Sequence, residues 1–122
     1  MTIKYETWVP VHQERIVESG MLDSTYERAP GESSPTFTWN DLGDDVLIVS
    51  VGDDYSIVSM LTGGTWYYLQ GSECTEEAEV NMAGQTTTMP RSVILERGQG
   101  LEVLKHAGDF MYLLKAYSWV EQ

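Results

Sequence analysis

Residues 46–70, VLIVSVGDDYSIVSMLTGGTWYYLQ, decide the fold. Val46 to Val51 is dense in β-branched residues and stops at Gly52-Asp53-Asp54, a tight-turn tripeptide. Tyr55 to Leu61 follows, so the two segments pair as an antiparallel hairpin. Gly63-Gly64 turns the chain again into Thr65 to Gln70, a third strand rich in aromatics. Upstream, Ser33 to Asn40 reads as a strand around Phe37 and Trp39, with Asp41 to Asp45 as its turn. Downstream, Gly71 to Glu77 reads as an acidic loop, Ala78 to Ala83 as a fourth strand and Gly84 to Thr88 as a polar turn. The middle of the chain is therefore a meander of antiparallel strands.

The two ends frame this meander. Ile3, Tyr5 and Thr7 alternate with polar residues, which predicts a first strand. Pro10 to Gln13 is a turn, and Glu14 to Glu18 pairs back as a second strand. Ser19 offers a helix N-cap hydroxyl, and Met21, Leu22, Tyr26 and Ala29 then fall at helical spacing until Pro30-Gly31. After Pro90 the period changes: Leu95, Leu101, Leu104 and Ala107 recur near 3.6, predicting a helix with Ser92 as N-cap. Gly98 and Gly100 lie inside it, and each costs about 1 kcal/mol against Ala. Either the helix starts later or a glycine admits a close neighbour. Phe110 to Val120 reads as a final strand containing Trp119. The expected architecture is α+β, one domain over residues 1–122, an antiparallel meander sheet with two helices packed on one face. Val46, Ile48, Val58, Leu61, Leu101, Leu104 and Trp119 are the expected core.

Charge narrows the function. Seven bases against 19 acids give −12 at pH 7, which disfavours nucleic acid and a polybasic membrane anchor as partners. No apolar run nears the roughly 20 residues that cross a bilayer. Met1 to Pro10 lacks the basic start and apolar stretch of a secretion signal. A single cysteine excludes an internal disulfide, so a cytoplasmic protein is expected. Between Arg28 and Arg91 lie 62 residues with no Lys, Arg or His and with ten acids, so this segment carries −10. The flanks, with nine acids and seven bases, carry only −2. Such a field serves solubility, or it steers the chain to a basic partner and raises association rates by about ten- to a thousand-fold.

Catalytic signatures are scarce. There is no phosphate-binding glycine loop, no H-E-x-x-H pair and no nucleophile elbow. His12 and His106 stand apart in the sequence, and with Cys74 they make three Cys or His residues, short of the four of a structural zinc site. Cys74 stands among Glu73, Glu76 and Glu77, surroundings that disfavour a thiolate nucleophile. The neighbouring pairs Asp44-Asp45, Asp53-Asp54 and Glu76-Glu77 diverge on strands and fan into water in turns, so none forms a catalytic dyad. The calcium-loop pattern is missing too. No catalytic residue, metal or cofactor is expected. Trp66, Tyr67 and Tyr68 are consecutive on one strand and cannot all face the same core, so at least one large aromatic lies near the surface, in the acidic region.

Gly64-Thr65-Trp66-Tyr67, Val80 to Gly84, Met89-Pro90, the segment Leu101-Glu102-Val103-Leu104-Lys105-His106-Ala107-Gly108 and a terminal strand closing on Trp119 together resemble bacterial immunity proteins. The family is the one called Immunity protein One, of polymorphic-toxin and contact-dependent competition systems. The resemblance covers most of the chain and is most diagnostic over residues 64–119. It implies a non-catalytic protein that binds a cognate toxin in the producing cell, nucleic-acid deaminases being among the toxins linked to the family. A toxin that grips phosphates has a basic groove, and an acidic inhibitor fits it.

The expected contact surface is Asp53, Asp54, Trp66, Tyr68, Glu73, Glu76 and Glu77, chosen on charge and turn position. The competing expectation is a small-molecule binding module or accessory domain whose pocket the aromatic strand lines. An enzyme using Tyr or carboxylates ranks third.

Overall fold

In the computed structural model, which describes residues 2–122, the hairpin of the central segment forms as expected. β4 (Val46–Val51) pairs antiparallel with β5 (Tyr55–Thr62), and β6 (Thr65–Gln70) pairs with β5 on its other side. β3 (Thr36–Trp39) adds to β4. β1 (Thr2–Thr7) adds to β3, and β2 (Gln13–Glu18) forms the edge. The order β10-β6-β5-β4-β3-β1-β2 is completed by β10 (Ser118–Glu121), while the short β9 (Leu95–Glu96) also pairs with β5. The described residues form a single small α+β domain with an antiparallel sheet and three α-helices.

Strand alternation gives the sheet two apolar faces. On the first, Leu47 and Val49 of β4, Val58 and Met60 of β5, Phe37 and Ile3 are fully buried. They pack against Leu22 and Tyr26 of α1 (Leu22–Arg28), against Leu101, Val103 and Leu104 of α2 (Arg97–Lys105), and against Leu113 of α3 (Phe110–Ala116). Burial of each such side chain stabilises by about 1.5–3 kcal/mol. On the second face, Ile57 packs with Val80, Met89 and Val93, flanked by Tyr55 and Tyr68. Val80 and Met89 come from β7 (Glu77–Met82) and β8 (Gln85–Pro90), a separate two-stranded sheet laid across that face.

Several elements differ from the sequence reading. Residues 84–88 are not a turn. The turn is Ala83-Gly84, both left-handed at φ 51° and 79°, and Gln85 onward is strand. The meander therefore breaks after β6. Residues 110–116 form a helix, not a strand, because the Asp109 carboxylate accepts from the Tyr112 N–H and caps it. Phe110, Leu113 and Tyr117 then turn onto the core. Ser19 opens a 3-10 turn, and α1 has no side-chain cap. Ser92 likewise sits in a 3-10 turn, and α2 begins at Arg97. Ile48 and Leu61 are half-buried because they lie on the second face outside the Ile57 cluster, and Trp119 is half-buried on the edge strand β10.

Arg97 locks the helical layer to the sheet. Its guanidinium donates to the carbonyls of Tyr26 and Ala29 at 2.7 and 2.8 Å, at the C-terminal end of α1, and to the Gly52 carbonyl. The Tyr26 hydroxyl, on a side chain 1% exposed, returns a 2.6 Å bond to the Arg97 carbonyl. Burial pushes this phenol up to about 12. An unfolded tyrosine ionises near 10, so between those values the unfolded chain releases a proton that the folded chain keeps. Stability is thus complete below pH 10 and is lost as pH rises toward 12, by about 2–3 kcal/mol from this group. Denaturant midpoints at pH 9 and pH 11.5 check this: Tyr26→Phe starts lower but falls less across the interval than the parent.

Candidate partner-binding surface

The register sorts the acidic turns to opposite ends of the sheet. The Gly52–Asp54 turn opens β5, and β6 ends at Gln70 on the same side, so the following loop 71–76 joins it there. The turn between β3 and β4, with Asp41, Asp44 and Asp45, lies at the opposite end beside the Gly63-Gly64 turn. There Asp41 is taken up by Lys4, whose ammonium stands 2.6 Å away.

Asp53, Asp54, Glu73, Glu76 and Glu77 are all exposed at the first end. Backbone bonds fix the loop: the Gly71 N–H donates to the Ser92 carbonyl and the Arg91 N–H to the Glu76 carbonyl, each at 2.8 Å. The Tyr55 hydroxyl donates to the Asn81 carbonyl at 3.0 Å and accepts from the Asn81 N–H at 2.9 Å, holding β7 against the turn. Because Ala78 and Val80 face the sheet, Glu77 and Glu79 both face water. A cavity of ≈ 470 Å³ is lined by Asp54, Tyr55, Glu79, Arg91, Ile94 and Glu96 among others.

The other two expected contact residues sit apart from these. Trp66, 37% exposed, begins β6 beside the Gly63-Gly64 turn, at the opposite end of that strand. Tyr68 is half-buried and packs into the cluster under the β7–β8 hairpin. Glu79 and Glu96 were not singled out from sequence. The signal for Glu79 was its two-residue spacing from Glu77, which on a strand places both on one face. Glu96 had no local signal, since the β5–β9 pairing of Tyr55 with Glu96 brings it there.

Elsewhere, His106 stacks on Tyr112 with centroids 4.0 Å apart, and Cys74 is half-buried in the acidic loop. A cavity of ≈ 740 Å³ opens between Tyr5, Val9, Pro10, Arg15 and Pro30, where the Arg15 guanidinium lies over the Tyr5 ring at 5.2 Å. The aromatic strand β6 contributes nothing to its lining. Among the described residues, no helix is long and apolar enough to cross a membrane. No model of a known protein family matches the chain, and no curated protein sequence matches it. The fold and this surface define an α+β domain with a carboxylate-rich end.

Proposed function

We propose that this chain is a non-catalytic immunity protein that binds and neutralises a cognate toxin, a nucleic-acid-targeting deaminase or nuclease, in the cytoplasm of the producing cell. The carrying observation is the gathering of Asp53, Asp54, Glu73, Glu76 and Glu77, with Glu79 and Glu96, around one end of the sheet. A groove that holds nucleic-acid phosphates presents Lys and Arg, so this end competes for it by charge and associates fast. A standard interface of about 1,600 Å² suffices, and no reaction by the inhibitor is needed. The sequence resemblance to Immunity protein One supports the choice of partner class.

Charge reversal tests the placement. The triple variant Glu73→Lys, Glu76→Lys and Glu77→Lys is expected to slow association with the toxin by at least about tenfold at low salt, with a smaller effect at high salt. Asp44→Lys with Asp45→Lys, at the far end, is expected to change the rate by far less. Stopped-flow association over a salt series reads both. Equal rates for the triple variant and the parent would place the interface elsewhere.

The ≈ 740 Å³ cavity favours a second reading, a small-molecule binding module, because its size falls within the range of ligand pockets. Saturable quenching of tryptophan fluorescence by one member of a metabolite panel would support it.

A further inference from the structure

Glu6, His12 and Glu14 offer three ligand atoms that all lie within 4.8 Å of one another. We infer that they form a binding site for a first-row divalent cation of the Zn²⁺ kind. None of the three belongs to the surface assigned to the toxin.

The β1–β2 register sets the site. Glu6 and Glu14 stand directly opposite each other and share one face of the ladder. Like charges in that position destabilise a sheet. Glu6 is only 8% exposed, so water screens its side of the repulsion poorly. The compensation within the chain is partial. His12 Nε2 lies 2.7 Å from one Glu6 oxygen, and Lys4 Nζ lies 3.7 Å from the other. Lys4 is held more closely by Asp41, at 2.6 Å. Glu14 has no ion pair among the described residues. A divalent cation between the carboxylates converts their repulsion into two attractions.

The imidazole is already oriented for this. His12 stacks on Trp8 at 4.2 Å and 12°, which fixes the ring plane. Trp8 is fixed in turn: its Nε1 donates to Thr36 Oγ1 at 3.2 Å, and the tip of the β7–β8 hairpin passes so near that a Cβ added at Gly84 would stand 3.1 Å from the Trp8 Cβ. Outer contacts of this sort orient metal ligands and set their affinity. Two carboxylate oxygens and one imidazole nitrogen suit Zn²⁺ or Mn²⁺, whereas Ca²⁺ and Mg²⁺ want oxygen alone. Ligands on a tetrahedral zinc stand roughly 3.4 Å apart, so Glu14 closes in from within 4.8 Å while the 2.7 Å His12–Glu6 hydrogen bond opens to admit the metal and its proton is released to water. The side chain of His12 is 47% exposed, which leaves the outer coordination position open to water.

The test is a calorimetric titration of the untagged, chelator-treated full chain with ZnCl₂. One equivalent is expected to bind saturably and to raise the melting temperature. His12→Gln and Glu14→Gln each alter an exposed part of the site and are expected to weaken binding by at least about tenfold, and His12→Gln to abolish the melting shift. His106→Gln, at the chain's other histidine, is expected to bind as the parent does. Lack of saturable one-to-one binding, or parental affinity in both His12→Gln and Glu14→Gln, would overturn the site.

Discussion

Leu104→Asp is expected to abolish cooperative folding. Leu104 is fully buried on α2, in the cluster that joins α2 to Val49 of β4 and Val58 of β5. Truncating such a leucine alone costs about 2–5 kcal/mol. The aspartate also places an ionised group within an apolar cluster, and burial of an unpaired charge costs more still. The sum approaches or exceeds the roughly 5–15 kcal/mol by which a domain is stable. Circular dichroism melts and binding of a hydrophobic dye read the result. A sharp, near-parental melt would show that α2 does not pack on the sheet as described.

The second large effect separates two glycines that sequence treats alike. A Cβ at Gly100 would meet the Tyr26 hydroxyl at 2.5 Å, Val49 Cγ1 at 2.6 Å and Ser56 Cβ at 3.0 Å. Val49 is β-branched and buried, and the Tyr26 hydroxyl is bonded to the Arg97 carbonyl, so neither yields easily. The Gly100 N–H also donates to Ser56 Oγ at 3.2 Å, which holds the helix close to β5. Gly100→Val is therefore expected to cost about 2–4 kcal/mol through overpacking. At Gly98 a Cβ meets nothing within 4 Å. Gly98→Ala is expected to be neutral or to stabilise by up to about 1 kcal/mol through helix propensity. Urea unfolding is expected to show destabilisation in Gly100→Val alone, and equal destabilisation of the two variants would contradict this.

These glycines show where sequence reasoning stops. Their presence announced either a late helix start or a close approach: the helix begins at Arg97, later than Ser92 but still ahead of both glycines, and Gly100 makes the close approach. The β4–β5 hairpin was legible because β-branched runs flank a polar turn. The helix over Phe110–Ala116 was not, because Met111, Tyr112 and Leu114 are apolar yet exposed and mask the spacing of Phe110, Leu113 and Tyr117. Asp109 was the overlooked cap. β8 passed for a turn because it faces water on one side and sends only Thr87 and Met89 inward among its central residues.

The candidate surface divides in the same way. Charge placed the acidic residues in turns, and the register then chose which turns share an end. That separated Asp41, Asp44 and Asp45 from Asp53 and Asp54, and Trp66 from Glu73. His12 looked isolated because Glu6 reaches the His12-Gln13-Glu14 segment only through the β1–β2 pairing. Counting Cys and His alone could not disclose a cluster built mainly of carboxylates.

Docking of the acidic end on a basic toxin is the proposed route of neutralisation. Its most direct test is capture of the product of the neighbouring open reading frame by the tagged chain over a salt series. Stoichiometric capture that weakens steadily as salt rises is expected. Lack of capture of a demonstrably folded neighbour, or capture indifferent to salt, would contradict it.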